Sequence, residues 1–194
     1  VSPKGIADAL PKPEKWLDAV TADHKILNED DASRDHDKVA CVIQDLFTYW
    51  LQAYASPGKT AKETKQAFQK FAGPQGRAKH VYTDNSKEFK SALDDLEWSH
   101  DTSTPHRSET NGIAENAVRR VKEGTSCTLV QSGLIGHWWA LAMTTYCFLR
   151  NVYDTLASGQ TAYFKRFGED FRGPIIPLGA EVNYRPSSQK DKSR

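Results

Sequence analysis

Apolar and polar positions alternate along "WLDAVTADHKIL", with Val20 and Ala22 on one side and Thr21, Asp23 and Lys25 on the other. That period of two predicts a first strand. "NEDDASRDHDK" interrupts it with Glu29, Asp30, Asp31, Asp35 and Asp37, which suits a solvated surface loop. A buried strand over Val39 to Ile43 follows, then a turn near Asp45-Leu46 and a second strand from Trp50 to Tyr54, paired as a hairpin. The period then changes. "SPGKTAKETKQAFQKFAGPQG" is a helix between Pro-Gly and Gly-Pro punctuation, with Ala61, Phe68, Phe71 and Ala72 on one face. "RAKHVYTD" is a short strand ending on Asp84. Phe89, Ala92, Leu93 and Leu96 then fall at i, i+3, i+4 and i+7 of an amphipathic helix.

"EWSHDTS" holds a further short strand, and "TPHRSETNG" reads as a polar loop. A long helix is predicted from Ile113 to about Ser132, with Ile113, Ala117 and Val121 inward and Gly133 as its cap. "LIGHWWALAMTTYCFLRNV" is apolar nearly all round and predicts a mostly buried helix, with Trp138 and Trp139 as core anchors. A leading antiparallel meander followed by crossover helices gives an α/β sandwich around a mixed sheet. The expected division is a linker at 1–15, a core at 16–172 and an extension at 173–194.

Composition narrows the class. With 38% hydrophobic and 26% charged residues the chain is an ordinary globular protein, and no apolar run is long enough to span a bilayer. The N-terminal residues lack an apolar signal-peptide core and an initiating Met, which suggests a piece of a larger polyprotein. Cys41, Cys127 and Cys147 lie far apart among apolar neighbours, as buried free thiols of an intracellular protein do. A net charge of +1 does not advertise nucleic-acid binding; the distribution of charge matters more.

Asp84 at a strand's carboxyl end can face the crevice where open α/β sheets place ligands, although turn and cap roles also suit it. Asn85 suits a helix cap, or a role in orienting Asp84. Asp23 lies on a strand expected beside that of Asp84, and Glu115 opens the long helix, where it also complements the helix dipole. Glu115, Arg119 and Lys122 share one helical arc, so both cations could hold a DNA backbone beside the acid; the alternative is an ion pair between Glu115 and Arg119.

The motifs "VYTDNSKEF", "TPHRSETNGIAENAVRRVKEGTSCTLVQSGL" and "WWALAMTTYCFLRNV" resemble the integrase catalytic core of retroviruses and retrotransposons, nearest the copia type, over roughly residues 16 to 184. The resemblance implies a ribonuclease-H-like α/β fold of three layers, with a mixed five-stranded sheet flanked by helices. It implies a D,D-E triad of Asp23, Asp84 and Glu115, with Asp18 as the competitor for the first position. It also implies two Mg²⁺ or Mn²⁺ ions, double-stranded DNA (element ends and target) as partner, homo-oligomers, and action on nuclear DNA. His106, Arg107 and Asn111, in the loop before Glu115, are expected at the DNA; Asn111-Gly112 is also a turn signal. No His-His-Cys-Cys module precedes the core in this sequence.

The sequence departs from the family pattern in several places. The spacing from Asp84 to Glu115 is slightly short, Asn-Ser replaces Asn-Gly after Asp84, Ser108-Glu109 stands for Pro-Gln, and Asn116 for Arg. Two other readings therefore stand beside the integrase: a decayed or domesticated DNA-binding copy, and a ribonuclease H with Asp45 or Asp101 as a fourth acid. Independently of family, three converging carboxylates repel one another, and a hard divalent cation with oxygen ligands relieves the repulsion.

Overall fold

The computed structural model describes residues 12–102 and 108–183, with side chains for all but 102 and 108–111. Strands β1 (Ala19–Ile26), β2 (Val39–Asp45), β3 (Leu51–Ser56), β4 (His80–Thr83) and β5 (His100–Thr102) form one sheet in the order β3-β2-β1-β4-β5. β1, β2 and β3 are an antiparallel meander, whereas β4 runs parallel to both β1 and β5. The sheet is therefore mixed, as the order of elements predicted. The β2–β3 hairpin is longer and later than its sequence suggests, because β2 continues to Asp45 and β3 to Ser56.

Helices α1 (Ala61–Ala72) and α2 (Lys87–Leu96) cover one face, and α3 (Ser108–Ser132) with α4 (Trp139–Tyr153) covers the other. Alternation along β1 sorts the layers. Val20 and Ala22 enter a core with Phe68 and Phe71 of α1 and Phe89 and Leu93 of α2. On the opposite face, Ala40 and Val42 of β2 meet Ala117 and Val121 of α3 and Trp139, Met143 and Cys147 of α4. α1 begins with a complete capping box, Thr60 accepting from the Glu63 amide while Glu63 reaches back to the Thr60 amide.

Several expectations change. α3 starts at Ser108, so helix replaces loop through Asn111-Gly112. Its buried stripe is Ala114, Ala117 and Val121, with Ile113 exposed. Gly124 lies on this stripe because the Tyr146 ring of α4 occupies the space of a β-carbon, which would come 2.1 Å from Cε2. Gly133, at φ +69°, ends the helix as expected. α4 is buried on one face only; Leu141, Phe148 and Tyr153 are exposed. Trp139 is the core anchor and donates to Asp31 O, whereas half-buried Trp138 lies under the Arg34 guanidinium. Cys41 and Cys147 are buried, but Cys127 is exposed on the outer side of α3.

The acidic loop is pinned, not merely solvated. Arg34 N donates to His137 O, and the side chains of Ser33 and Asp37 bond within the loop. A last short helix, α5 (Ala162–Phe167), docks by placing Arg166 over the rings of Trp16 and Trp50, 3.8 and 4.5 Å from their centroids. No helix among the described residues is long and apolar enough to cross a membrane.

Candidate active site

The strand register positions two of the acids. β1 and β4 are parallel neighbours with Thr21 opposite Tyr82. Two residues further on along each chain come Asp23, in the middle of β1, and Asp84, just past the carboxyl end of β4, on adjacent strands of a sheet whose spacing is about 4.8 Å. Asp23 shares its face of β1 with Thr21, whose hydroxyl donates to Tyr82 O, and this face turns toward α3. Glu115, one position after the buried Ala114, projects from the exposed side of the first described turns of α3.

The electrostatics tie the acids together. Burial pushes the Asp23 carboxyl up, the Asp84 and Glu115 charges raise it further, and the His24 amide and Lys59 oppose them. Asp23 Oδ1 accepts from its neighbour's amide, His24 N, at 2.7 Å. Asp84 Oδ1 accepts from Ser86 N at 3.1 Å, so it also performs the turn-forming role open to it in sequence. The N-cap of α2 falls on Ser86, and Asn85 is exposed.

The three carboxylates share one field without closing into a cage. Among the described residues, no three His, Cys, Asp or Glu side chains are grouped so as to hold a metal ion. Asp23 and Asp84 each commit one oxygen to the backbone and leave a second, and like charges hold carboxylates apart unless a cation draws them in. In donor chemistry the set fits Mg²⁺ or Mn²⁺: oxygen only, anionic and at the crevice. The geometry is open.

The competing acids have other partners. Asp18 precedes β1, at the opposite end from Asp23, and accepts from the Glu14 and Lys15 amides at 3.0 and 3.1 Å. Those bonds, the Glu14 amide first, hold its carboxyl below its ordinary value. Asp45 is fully buried and accepts from Leu17 N, Phe47 N, Thr48 N and Thr48 Oγ1, at 2.7 to 3.1 Å. It ties the hairpin turn to the chain before β1, which corrects its candidacy as a fourth metal ligand. Asp101, opposite Tyr82 on β5, faces His80 with 4.0 Å between Oδ2 and Nδ1.

Of the expected DNA contacts, Arg119 and Lys122 are exposed on α3, and Arg119 Nη2 donates to Asn116 Oδ1 at 3.0 Å. Lys122 and Lys25 border a largely apolar cavity of about 540 Å³ between α3, the β1–β2 hairpin and the start of α4. His106 and Arg107 lie outside the described residues, as does the side chain of Asn111, whose backbone is helical.

Three neighbours of the acids were not singled out in the sequence. His24 stacks on Phe89 with centroids 4.3 Å apart, and its Nε2 is 3.2 Å from Thr64 Oγ1. Burial, then the Lys59 charge, pushes its imidazole down to about 4, so it is neutral at neutral pH. Lys59 Nζ lies 3.8 Å from Glu88 Oε2, in the first turn of α2. Glu88 belongs to the quoted "TDNSKEF" motif; Lys59 in "SPGKT" carried no signal beyond a turn.

Neither a protein-family model nor a curated protein matches the chain. Solved structures do. The simian T-cell lymphotropic virus intasome, in complex with the PP2A regulatory subunit B56 gamma, contains a chain that superposes with a TM-score of 0.66 at 17% identity, covering 92% of this chain and 62% of that one. The HTLV-2 integrase catalytic core domain, solved with magnesium in a trimeric form, gives 0.59 at 18% identity over 78% of this chain and 97% of that one. The catalytic core domain of BIV integrase gives 0.57 at 17% identity over 76% and 91%. At such identities the likeness establishes the fold: this chain has the α/β architecture of retroviral integrase catalytic cores, a mixed five-stranded sheet between two helical layers.

Proposed function

We propose that this chain is the catalytic core of a retroelement integrase of the copia type, a polynucleotidyl transferase that exposes 3′ ends of element DNA and joins them to target DNA. The observation that carries the reading is the register of β1 and β4, which sets Asp23 beside Asp84 while the Glu115 charge acts on the same carboxyl. In this reading Asp23, Asp84 and Glu115 hold two Mg²⁺ or Mn²⁺ ions. Such ions, when bound, stabilise charge on the attacking and leaving oxygens of a phosphodiester displacement.

The protein's own groups do the rest. Asp84, fixed through the Ser86 amide just past β4, and Asp23, fixed through the His24 amide within β1, present their remaining oxygens from the rigid sheet. Arg119 and Lys122 hold backbone phosphates from α3, with His106, Arg107 and Asn111 contacting the DNA ends. The whole would act as a homo-oligomer on nuclear DNA, as the core (16–172) of a larger polyprotein with flanking linkers at 1–15 and 173–194.

A second reading, a decayed or domesticated copy that binds DNA without cutting, draws on the open geometry of the acids and on Ser86 where the motif has glycine. Calorimetric titration with Mn²⁺ separates the two. The integrase reading expects saturable binding by the wild type, lost in both Asp23→Asn and Asp84→Asn. Wild-type protein that binds no Mn²⁺ at millimolar concentration leaves the decayed copy.

A further inference from the structure

We propose that Lys59 is a second phosphate-contacting residue, gripping the DNA backbone from the α1–α2 side of the sheet while the α3 cations grip it from the other. This rests on the reading of the site as a DNA site. Lys59 is a cation of that layer paired with Glu88 on the helix that follows Asp84. It sits in the β3–α1 connection, where Ser56 Oγ donates to Gly58 O, Gly58 N donates to Glu63 Oε1 and Thr60 N donates to Glu63 Oε2. Both neighbours of Lys59 are thus bonded to one carboxylate, that of Glu63.

Its side chain is only 24% exposed, although lysine normally extends its ammonium fully into water. The ammonium is directed across the gap to Glu88, on the helix that begins just after Asp84. Geometry ties this loop to the site: Thr60, next to Lys59, accepts at its carbonyl from Thr64 Oγ1, which lies 3.2 Å from Nε2 of His24, the residue after Asp23, and His24 stacks on Phe89, the residue after Glu88.

A surface bridge to Glu88 would account for the pair alone, but such pairs contribute little to stability. It would not account for a loop this firmly bonded holding a mostly buried lysine against the helix that begins just after Asp84. A cation at that position offsets the anionic site for an approaching phosphodiester. The class of ligand is the sugar-phosphate backbone, contacted without regard to sequence.

The test measures binding of a random-sequence DNA duplex across a salt series, for wild type, Lys59→Ala, Lys59→Gln and Lys59→Arg, together with Mn²⁺ affinity in the absence of DNA. Lys59→Gln retains most of the stem and guards against a packing defect; circular dichroism and melting temperature confirm folding. The expected result is a log-log salt slope shallower by about 0.9 in the alanine and glutamine variants and near wild type in the arginine variant. Mn²⁺ should bind about two- to tenfold more tightly without the lysine, because a cation has been taken from beside the acids. Salt lines parallel to wild type in the folded alanine and glutamine variants overturn the proposal while leaving the DNA site standing. A wild type with no salt-dependent DNA binding overturns both.

Discussion

If Asp23 and Asp84 face each other across adjacent strands, neutralising one should stabilise the metal-free protein. Asp84→Asn retains the oxygen that accepts from Ser86 N, so the turn into α2 is preserved and only charge changes. Two unit charges at the inter-strand spacing of about 4.8 Å repel by roughly 0.9 kcal/mol in water and roughly 3.5 kcal/mol at an effective dielectric of about 20. The site is half-open, so about 1–2 kcal/mol is the expected gain, or about 2–8 °C in melting temperature for a chain of 194 residues. The sign follows from Asp23, whose carboxyl is raised first by burial and further by the Asp84 charge, the part that the substitution removes. Its favourable contribution is complete only below the unfolded value of about 3.9 and is lost as pH rises through the folded value, leaving a cost at neutral pH. Melting curves in chelator at pH 7 should therefore place the variant above wild type, and the gap should close as pH falls below 4. Added Mn²⁺ should raise wild type and not the variant, reversing the order. A variant that melts at or below wild type at pH 7 in chelator would refute the claim that these carboxylates repel.

Asp45→Ala should cost about 3 kcal/mol or more in denaturant unfolding, since it strips buried donors of Leu17, Phe47 and Thr48 of their acceptor; a loss within ~0.5 kcal/mol would restore Asp45 to the list of functional acids. The double variant Arg119→Ala, Lys122→Ala should flatten the salt dependence of DNA binding by up to about two log-log units while Mn²⁺ still binds; an unchanged slope makes these ordinary solvated helix charges. Cys127 should react with a thiol reagent in the native protein, while Cys41 and Cys147, buried and with their thiols pushed up (Cys147 to about 12), should stay protected until unfolding. Native labelling of more than one thiol per chain would contradict that packing.

The parts of the fold that were legible in sequence are those with a clean period. Alternation around Val20 and Ala22, the capped and punctuated α1, and the i, i+3, i+4, i+7 stripe of α2 each placed an element. The "TDNSKEF" motif placed Asp84 at a strand end. What was missed depended on partners distant in sequence. Asn111-Gly112 signals a turn, yet the helix runs through it, at a local cost of about 1 kcal/mol that the packing of Ala114, Ala117 and Val121 further along can offset. Hydrophobicity points Ile113 inward, but the seam with α4 selects small residues, as the ring of Tyr146 over Gly124 shows. The outer side of α4 is as apolar as its inner one, so sequence alone suggested full burial. The pinning of the acidic loop rests on contacts with residues 137 and 139, a hundred positions away. Nothing local to "SPGKT" could pair Lys59 with Glu88, which is 29 positions further on; that needed the packing of α1 beside α2.

The most direct test of the central claim is a joining reaction: a labelled duplex with a free 3′ hydroxyl, incubated with supercoiled plasmid and Mn²⁺, with wild type, Asp84→Asn, Glu115→Gln and Asp18→Asn assayed in parallel. The account predicts covalent transfer of label to plasmid by wild type and Asp18→Asn, and none by Asp84→Asn or Glu115→Gln although both remain folded. Joining by Asp84→Asn or Glu115→Gln at near wild-type levels would contradict it.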